Sequence, residues 1–444
     1  MDWTIDRRNL LAFPAAGLAA GAVAAPAQAA TGPGGIISCV GGGLDDASGP
    51  LQHAIDKAGR MRAAVLLAPG RITLRKPVRL PSLARLFGAG ALSVIACRDE
   101  GRLIGEGARD LVVADLRMEG TPETHRSAAL IDLNASRDAR LSGIEISAAP
   151  ADGIRLWRSS GRIDGCRLRG CRSAAIRAGD SAGVVIEGNV IEDIANNGIV
   201  VWRETAATDG TQVIANRISR IRADGGGSGQ NGNGINAFRA DHVLIANNTV
   251  ADCTFSAVRC NSASNVQIVA NNCRNLGEVA LYAEFAFLGA VIANNLVAGA
   301  ATGIVVTNFN DGGRLATVQG NVIRELFRRE AEPIDKRGVG IAVEADTAVL
   351  GNTIENAPTA GIMIGWGSYL RQVNASSNII RGAAVGIGLS LQGGQGQALI
   401  ATNMISNARD GHVRHLDHGI ASGTPARDGD GTYGAARLVG NVFS

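Results

Sequence analysis

Aromatic residues are scarce in this chain: nine Phe, four Trp and three Tyr among 444 residues. With 59 glycines beside them, so few rings fit a chain of many turns. Lysine is scarcer still, at Lys57, Lys76 and Lys336 only, which leaves arginine to carry nearly all positive charge. With 43 basic against 40 acidic residues the formal charge is +3, too near neutrality for a nucleic-acid-binding protein. After the N-terminus no apolar run is long enough to cross a bilayer. The seven cysteines (39, 97, 166, 171, 253, 260 and 273) form no close CxxC pair, so no metal site is built from them. They are expected to be buried thiols, with Cys260 on an inward strand position, although export would permit one bridge.

The N-terminus suggests an exit from the cytoplasm. Asp6-Arg7-Arg8-Asn9-Leu10-Leu11 precedes a small-residue apolar run from Ala15 to Ala25, then Ala27-Gln28-Ala29. Paired arginines, a weakly apolar stretch and an Ala-x-Ala site resemble a twin-arginine export signal over residues 1–29, with an ordinary Sec signal as the alternative. The expected partner is then the twin-arginine export machinery. The expected location is the periplasm or the medium, with no membrane anchor after cleavage.

Glycine is what the chain has in plenty, at 59 residues, and its placement is periodic. Asp152-Gly153-Ile154-Arg155-Leu156, Asn197-Gly198-Ile199-Val200-Val201, Asn233-Gly234-Ile235-Asn236-Ala237 and Thr302-Gly303-Ile304-Val305-Val306 repeat one phrase, a small residue followed by an alternating strand. The small anchors fall at 153, 175, 198, 234, 257, 280, 303, 340, 361, 386 and 419. A basic step near 23 residues, lengthened by insertions, is too short for paired helices but suits three short strands wound into a coil.

A second landmark runs in phase. Asn189, Asn216, Asn248, Asn295, Asn321, Asn352, Asn378 and Asn403 each begin an Asn-x-aliphatic triplet that precedes an anchor. Asparagine tolerates left-handed backbone and bonds locally, so it fits a bend between strands and could stack as an amide ladder. Each coil reads strand, loop, strand, Asn bend, strand, turn. This pattern resembles the right-handed parallel β-helix of pectate lyases, polygalacturonases and mannuronan epimerases, over roughly residues 100–444. Together with the paired arginines it also resembles exported bacterial β-helix repeat proteins. The resemblance implies an all-β, single-stranded parallel solenoid but carries no named catalytic residue.

Residues 30–100 are expected to form a cap and the first coils, and 101–444 the repeats, with insertions near 223–233, 308–314, 324–338 and 408–436. Leu51, Ala54, Ile55 and Ala58 have helical spacing, which predicts a short helix covering the open end of the first coil. The order Asp45-Asp46, Leu51-Gln52, Ala54-Ile55-Asp56 and Pro69-Gly70 resembles the opening of pectate-lyase-like and tailspike β-helices. Asp45 and Asp46 read as turn and capping residues.

Alternation locates the outer face. After each anchor the first and third positions point in, and the second and fourth point out. The outward rows place Arg155, Trp157, Arg177, Trp202, Asn236, Phe238, Arg259, Asn261, Tyr282, Glu284 and Thr307 on one strip. Aromatic faces suit sugar rings, arginine suits carboxylates and asparagine reads hydroxyls, so an acidic polysaccharide is the expected partner. The bland alternative is that the insertions simply fold over the strip.

For lysis or epimerisation of a uronate, Arg259 or Arg155 would neutralise the carboxylate, Tyr282 would act as base or acid beside Arg259, and Glu284 would stand with them. Hydrolysis would need two carboxyls, for which Glu284 and Glu344 are the loose candidates, with Glu204 just off the strand. Lyase or epimerase therefore ranks above hydrolase, with a non-catalytic polysaccharide or envelope binder as the other class. His412, His415 and His418, spaced by three, could share a metal if helical, but their place in the last inserted loop argues for a solvated segment. No metal or other cofactor is specified.

Overall fold

The computed structural model describes residues 36–39, 44–126, 129–329, 338–392 and 396–444. The segment read as an export signal, and most of the insertion at 324–338, lie outside the described residues. The chain winds into a right-handed β-solenoid of about 15 coils at about 25 residues each, with one short α-helix among the described residues. Three strands make a coil, as in Ile154–Trp157, Gly161–Asp164 and Arg167–Arg169. The first and third strands of successive coils share one large parallel sheet and the middle strands form another. At Asn272–Glu284 and Leu296–Val306 a third strand runs without a break into the next anchor strand.

The register follows the anchors from 153 to 386: Ile154 pairs with Ile176, Ile199 with Ile235, Val258 with Leu281, and Ile304 with Ile341. Those inward residues are fully buried in one continuous, mainly aliphatic core. Anchor residues must be small because the coils approach closely there. A Cβ on Gly303 would stand 2.4 Å from the Gly340 carbonyl oxygen, and one on Gly198 2.4 Å from that of Gly234.

The last anchor is displaced from its expected place. Val385 pairs with Gly411 and Ile387 with Val413, so the final coil takes His412, not Gly419, at the anchor position. Gly419, with φ of 82°, instead turns Gly411–Asp417 back onto itself as an antiparallel hairpin with Ile420–Ser422. A second hairpin pairs Gly431–Tyr433 with Ala436–Val439. The two hairpins occupy sheet edges that would otherwise template another chain. At the opposite end, Ser48–Met61 is helical and buries Leu51, Ala54, Ile55 and Ala58. Asp46 accepts the backbone N–H groups of Ser48 and Arg75, a turn role.

The amide ladder is continuous and longer than the triplets predicted. Asn189, Asn216, Asn248, Asn271, Asn295, Asn321, Asn352, Asn378 and Asn403 each pass a side-chain N–H to the next Asn Oδ1 at 2.9–3.0 Å, and the ladder ends on Asn441. The backbone N–H of each donates to the same oxygen, as from Asn271 to Asn295 at 2.9 Å. Buried side-chain amides thus satisfy the bend without water.

Candidate functional site

The anchor strands form the floor of the outer face, and pairing sets its two outward rows. Asp132, Arg155, Arg177, Val200, Asn236, Arg259, Tyr282, Val305, Ala342 and Met363 succeed one another in the first. Trp157, Gly179, Trp202, Phe238, Asn261 and Glu284 succeed one another in the second, with Thr307 on the next coil. Each step is about 4.8 Å. The strip predicted from alternation is therefore one surface, but its charge and openness change along it.

Its arginines are already matched. Arg155 makes a forked contact with Asp132 on the preceding coil, and Arg177 pairs with Asp152 at 2.7 Å. Arg259 holds Glu284 through Nε at 2.5 Å and Nη2 at 3.0 Å, while Asn261 donates to the same carboxylate. That last pair is closed in: side-chain exposure is 11% for Arg259 and 2% for Glu284. The insertion at 223–233 completes the cover. The Ser228 carbonyl accepts from Arg259, and a Cβ on Gly229 would fall 1.5 Å from a guanidinium nitrogen. Asn236 also donates to this loop, at the Gln230 carbonyl. Along Asn236 and Arg259 the insertion does fold over the strip.

Trp157 and Trp202 stack at 5.4 Å between ring centroids although they are two coils apart. Gly179 on the coil between them permits it, because a Cβ there would meet the Trp157 ring at 2.3 Å. Phe238, half-buried on the next coil, carries the Arg239 guanidinium over its ring at 4.8 Å.

Past the covered stretch the face opens into a groove of about 300 Å³. Tyr282, Val305, Ala342 and Met363 lie along its floor, and Thr307, Glu344 and Gly365 form the parallel row. Asn308 and Asn310 wall one side, in the short helical turn that follows Thr307. Trp366 and Tyr369 close the far end from a tight turn in which each backbone N–H bonds the other's carbonyl. Glu344 accepts the Thr307 hydroxyl and the Phe309 N–H, which holds its carboxylate across the groove wall. The described lining includes the carboxylates of Glu278 and Glu344 and no lysine or arginine.

The three residues expected to do chemistry are therefore neighbours, and two of them are engaged with each other. Arg259 stacks over Tyr282 at 5.2 Å but spends its charge on Glu284. Burial, reinforced by Glu284, Glu278 and Glu344, pushes the Tyr282 phenol well above its usual range. A tyrosine base needs the opposite displacement.

The histidines lie on strand and hairpin rather than on a helix. His412 stacks on Phe443, His415 on Tyr433, and His418 packs edge-on to Trp366 at 4.6 Å. Each takes a different neighbour, and among the described residues no group of His, Cys, Asp and Glu could hold a metal. The six described cysteines beyond Cys39 are free and buried, and burial raises the Cys260 thiol to about 12.

Sequence reasoning missed the pairing roles of Asp132 and Asp152, and the groove residues Glu278 and Tyr369. Asp132 was within reach: Ile131-Asp132-Leu133 continues the outward row one coil before Arg155.

The family model described as right handed beta helix region matches residues 152–323 and 204–382. No curated protein matches the sequence. Among solved structures, the N-terminal fragment of bacteriophage Phi29 gene product 12 aligns at 12% identity and a TM-score of 0.54, over 90% of this chain and 69% of that one. PfbA, a surface adhesin of Streptococcus pneumoniae, aligns at 15% identity and 0.47, over 85% and 91%. The A-module of the Azotobacter vinelandii mannuronan C-5 epimerase AlgE6 aligns at 16% and 0.36, over 90% and 96%. Identities this low speak to the fold alone.

Proposed function

For a chain that belongs to the right handed beta helix region family, we propose a glycan-binding function centred on the groove between Tyr282 and Trp366. The observation that carries this reading is the groove's lining. Aromatic rings stand at its ends, an aliphatic floor lies between them, and Asn308, Asn310, Thr307 and Glu344 supply hydroxyl-reading groups at the sides. Apolar faces with a few placed hydrogen-bonding groups suit a pyranose ring.

The sugar favoured is neutral. Arg155, Arg177 and Arg259 each already serve a carboxylate, and Arg259 also reaches Glu278 of the groove lining at 3.8 Å, so none of the three is left to receive a uronate. The same pairing speaks for binding over lysis or epimerisation, since the groups that would neutralise and deprotonate a uronate are engaged or in the wrong protonation state. The paired arginines near the N-terminus support a place outside the cytoplasm for this activity.

The test is calorimetry on residues 30–444 against neutral glucans and mannans and against pectate and alginate, with absorbance of unsaturated uronate followed in parallel. Saturable binding to a neutral glycan, weakened by about 1 kcal/mol (roughly fivefold) in Trp366→Ala, is expected. Unsaturated product from pectate or alginate would replace this reading with a lyase, and an unchanged affinity in Trp366→Ala would move the site elsewhere.

A further inference from the structure

Among the described residues the groove has two stops, and they decide what part of a glycan it can take. Along the floor row the coil before Tyr282 carries Arg259, over which Gly229 of the inserted loop is seated. The coil after Met363 carries Gly388, and there Leu416 of the final hairpin fills the space: a Cβ on Gly388 would lie 2.1 Å from a Leu416 methyl. Leu416 is itself buried with Met363, Val385 and Ala342 in a small apolar cluster outside the main core, with Trp366 and Ala421 packed against it. The outward face does not end at the groove; it continues in both directions under protein.

The open stretch runs from the coil of Tyr282 to that of Met363. These are three steps apart, or about 14 Å, room for roughly two or three pyranose rings laid along the solenoid axis. A polysaccharide following the outward row would be stopped by the Gly229 loop at one end and by Leu416 at the other. Trp366 and Tyr369 stand at the second stop, where a terminal ring would rest.

We infer that the groove is a blind site for a glycan terminus or a free oligosaccharide of two to three units, and that it does not thread the interior of a polymer. This rests on the glycan-binding reading above and narrows its ligand.

The experiment uses the full mature chain and four neutral series built on maltose, laminaribiose, cellobiose and mannobiose, each as di-, tri- and hexasaccharide and as a size-fractionated soluble polymer. Affinity should rise from di- to trisaccharide and change less than twofold beyond. Polymers compared at equal mass should bind in proportion to their chain ends, so that a tenfold longer fraction binds about tenfold less at equal mass. Shortening the loop by deleting residues 226–229 should remove one stop, and long polymer at equal mass should then bind severalfold better while the trisaccharide holds its affinity. Affinity for wild type that climbs steadily with length, or polymer binding with every oligosaccharide silent, would overturn the blind site and leave glycan binding in place. Silence of polymers and oligosaccharides alike would remove both.

Discussion

Replacing Asn295 by Ala should destabilise the solenoid more than any change of similar size on its surface. Its Oδ1 accepts the backbone N–H and the side-chain amide of Asn271 at 2.9 and 3.0 Å. Its Nδ2 donates to Asn321 and to the Ile268 carbonyl. Alanine removes all four bonds and strands two buried donors on Asn271; at about 1–3 kcal/mol each, the loss is about 2–6 kcal/mol. Asn294, the exposed neighbour with φ of 57°, is the control: Asn294→Ala loses only left-handed preference, roughly 1 kcal/mol. Because neighbouring coils carry much of a solenoid's stability, the loss should be local, so hydrogen exchange is the better assay. The Asn271 amide should lose at least tenfold in protection in Asn295→Ala while coils near residue 154 keep theirs. Equal protection in the two variants, or a denaturation shift below 1 kcal/mol for Asn295→Ala, would refute the claim that the ladder holds the bend.

Gly303→Ala places a methyl 2.4 Å from the Gly340 carbonyl oxygen and 2.7 Å from Ile323, and should cost about 1–3 kcal/mol by chemical denaturation; Gly59→Ala, on the exposed face of the first helix with nothing within 4 Å, should cost nothing. Arg259→Ala leaves the Glu284 carboxylate buried without its cation and should lower stability by about 3–5 kcal/mol, whereas the double variant Arg259→Met/Glu284→Leu should recover most of it in a thermal melt. Tyr282 holds its proton more tightly folded than unfolded, so the unfolded chain ionises first, and stability falls as pH rises through the usual tyrosine value near 10. Tyr282→Phe should remove up to about 1.4 kcal/mol per pH unit of that alkaline slope, measured as denaturation midpoints between pH 9 and 11.

What could be read from the chain was whatever repeated. Anchor glycines, inward Ile and Val, and the helical spacing of Leu51, Ala54, Ile55 and Ala58 each follow from one steric rule applied coil after coil. The ladder was read short where the rule was met by unusual residues: Asn271-Asn272-Cys273 and Asn441-Val442-Phe443 put Cys and Phe where the other triplets have an aliphatic residue. The last anchor went to Gly419-Ile420 because that pair imitates the phrase, while His412 fills the true position without being small. At the site, alternation gave the strip but not its electrostatics. Arg155 and Arg177 look available until Asp132 and Asp152 are brought beside them by folding. The groove's end wall comes from Trp366 and Tyr369 in a single non-repeating turn, which periodicity cannot locate.

The most direct measurement uses Trp366 as its own reporter. Within residues 30–444 tryptophan occurs at 157, 202 and 366, so Trp157→Phe/Trp202→Phe in that span leaves one ring, at the far end of the groove. Titrating that variant with the neutral trisaccharide found by calorimetry should shift or quench Trp366 emission, saturating at the calorimetric dissociation constant. Emission that stays constant while heat is still released would contradict the account, because the sugar would then be bound somewhere other than the groove between Tyr282 and Trp366.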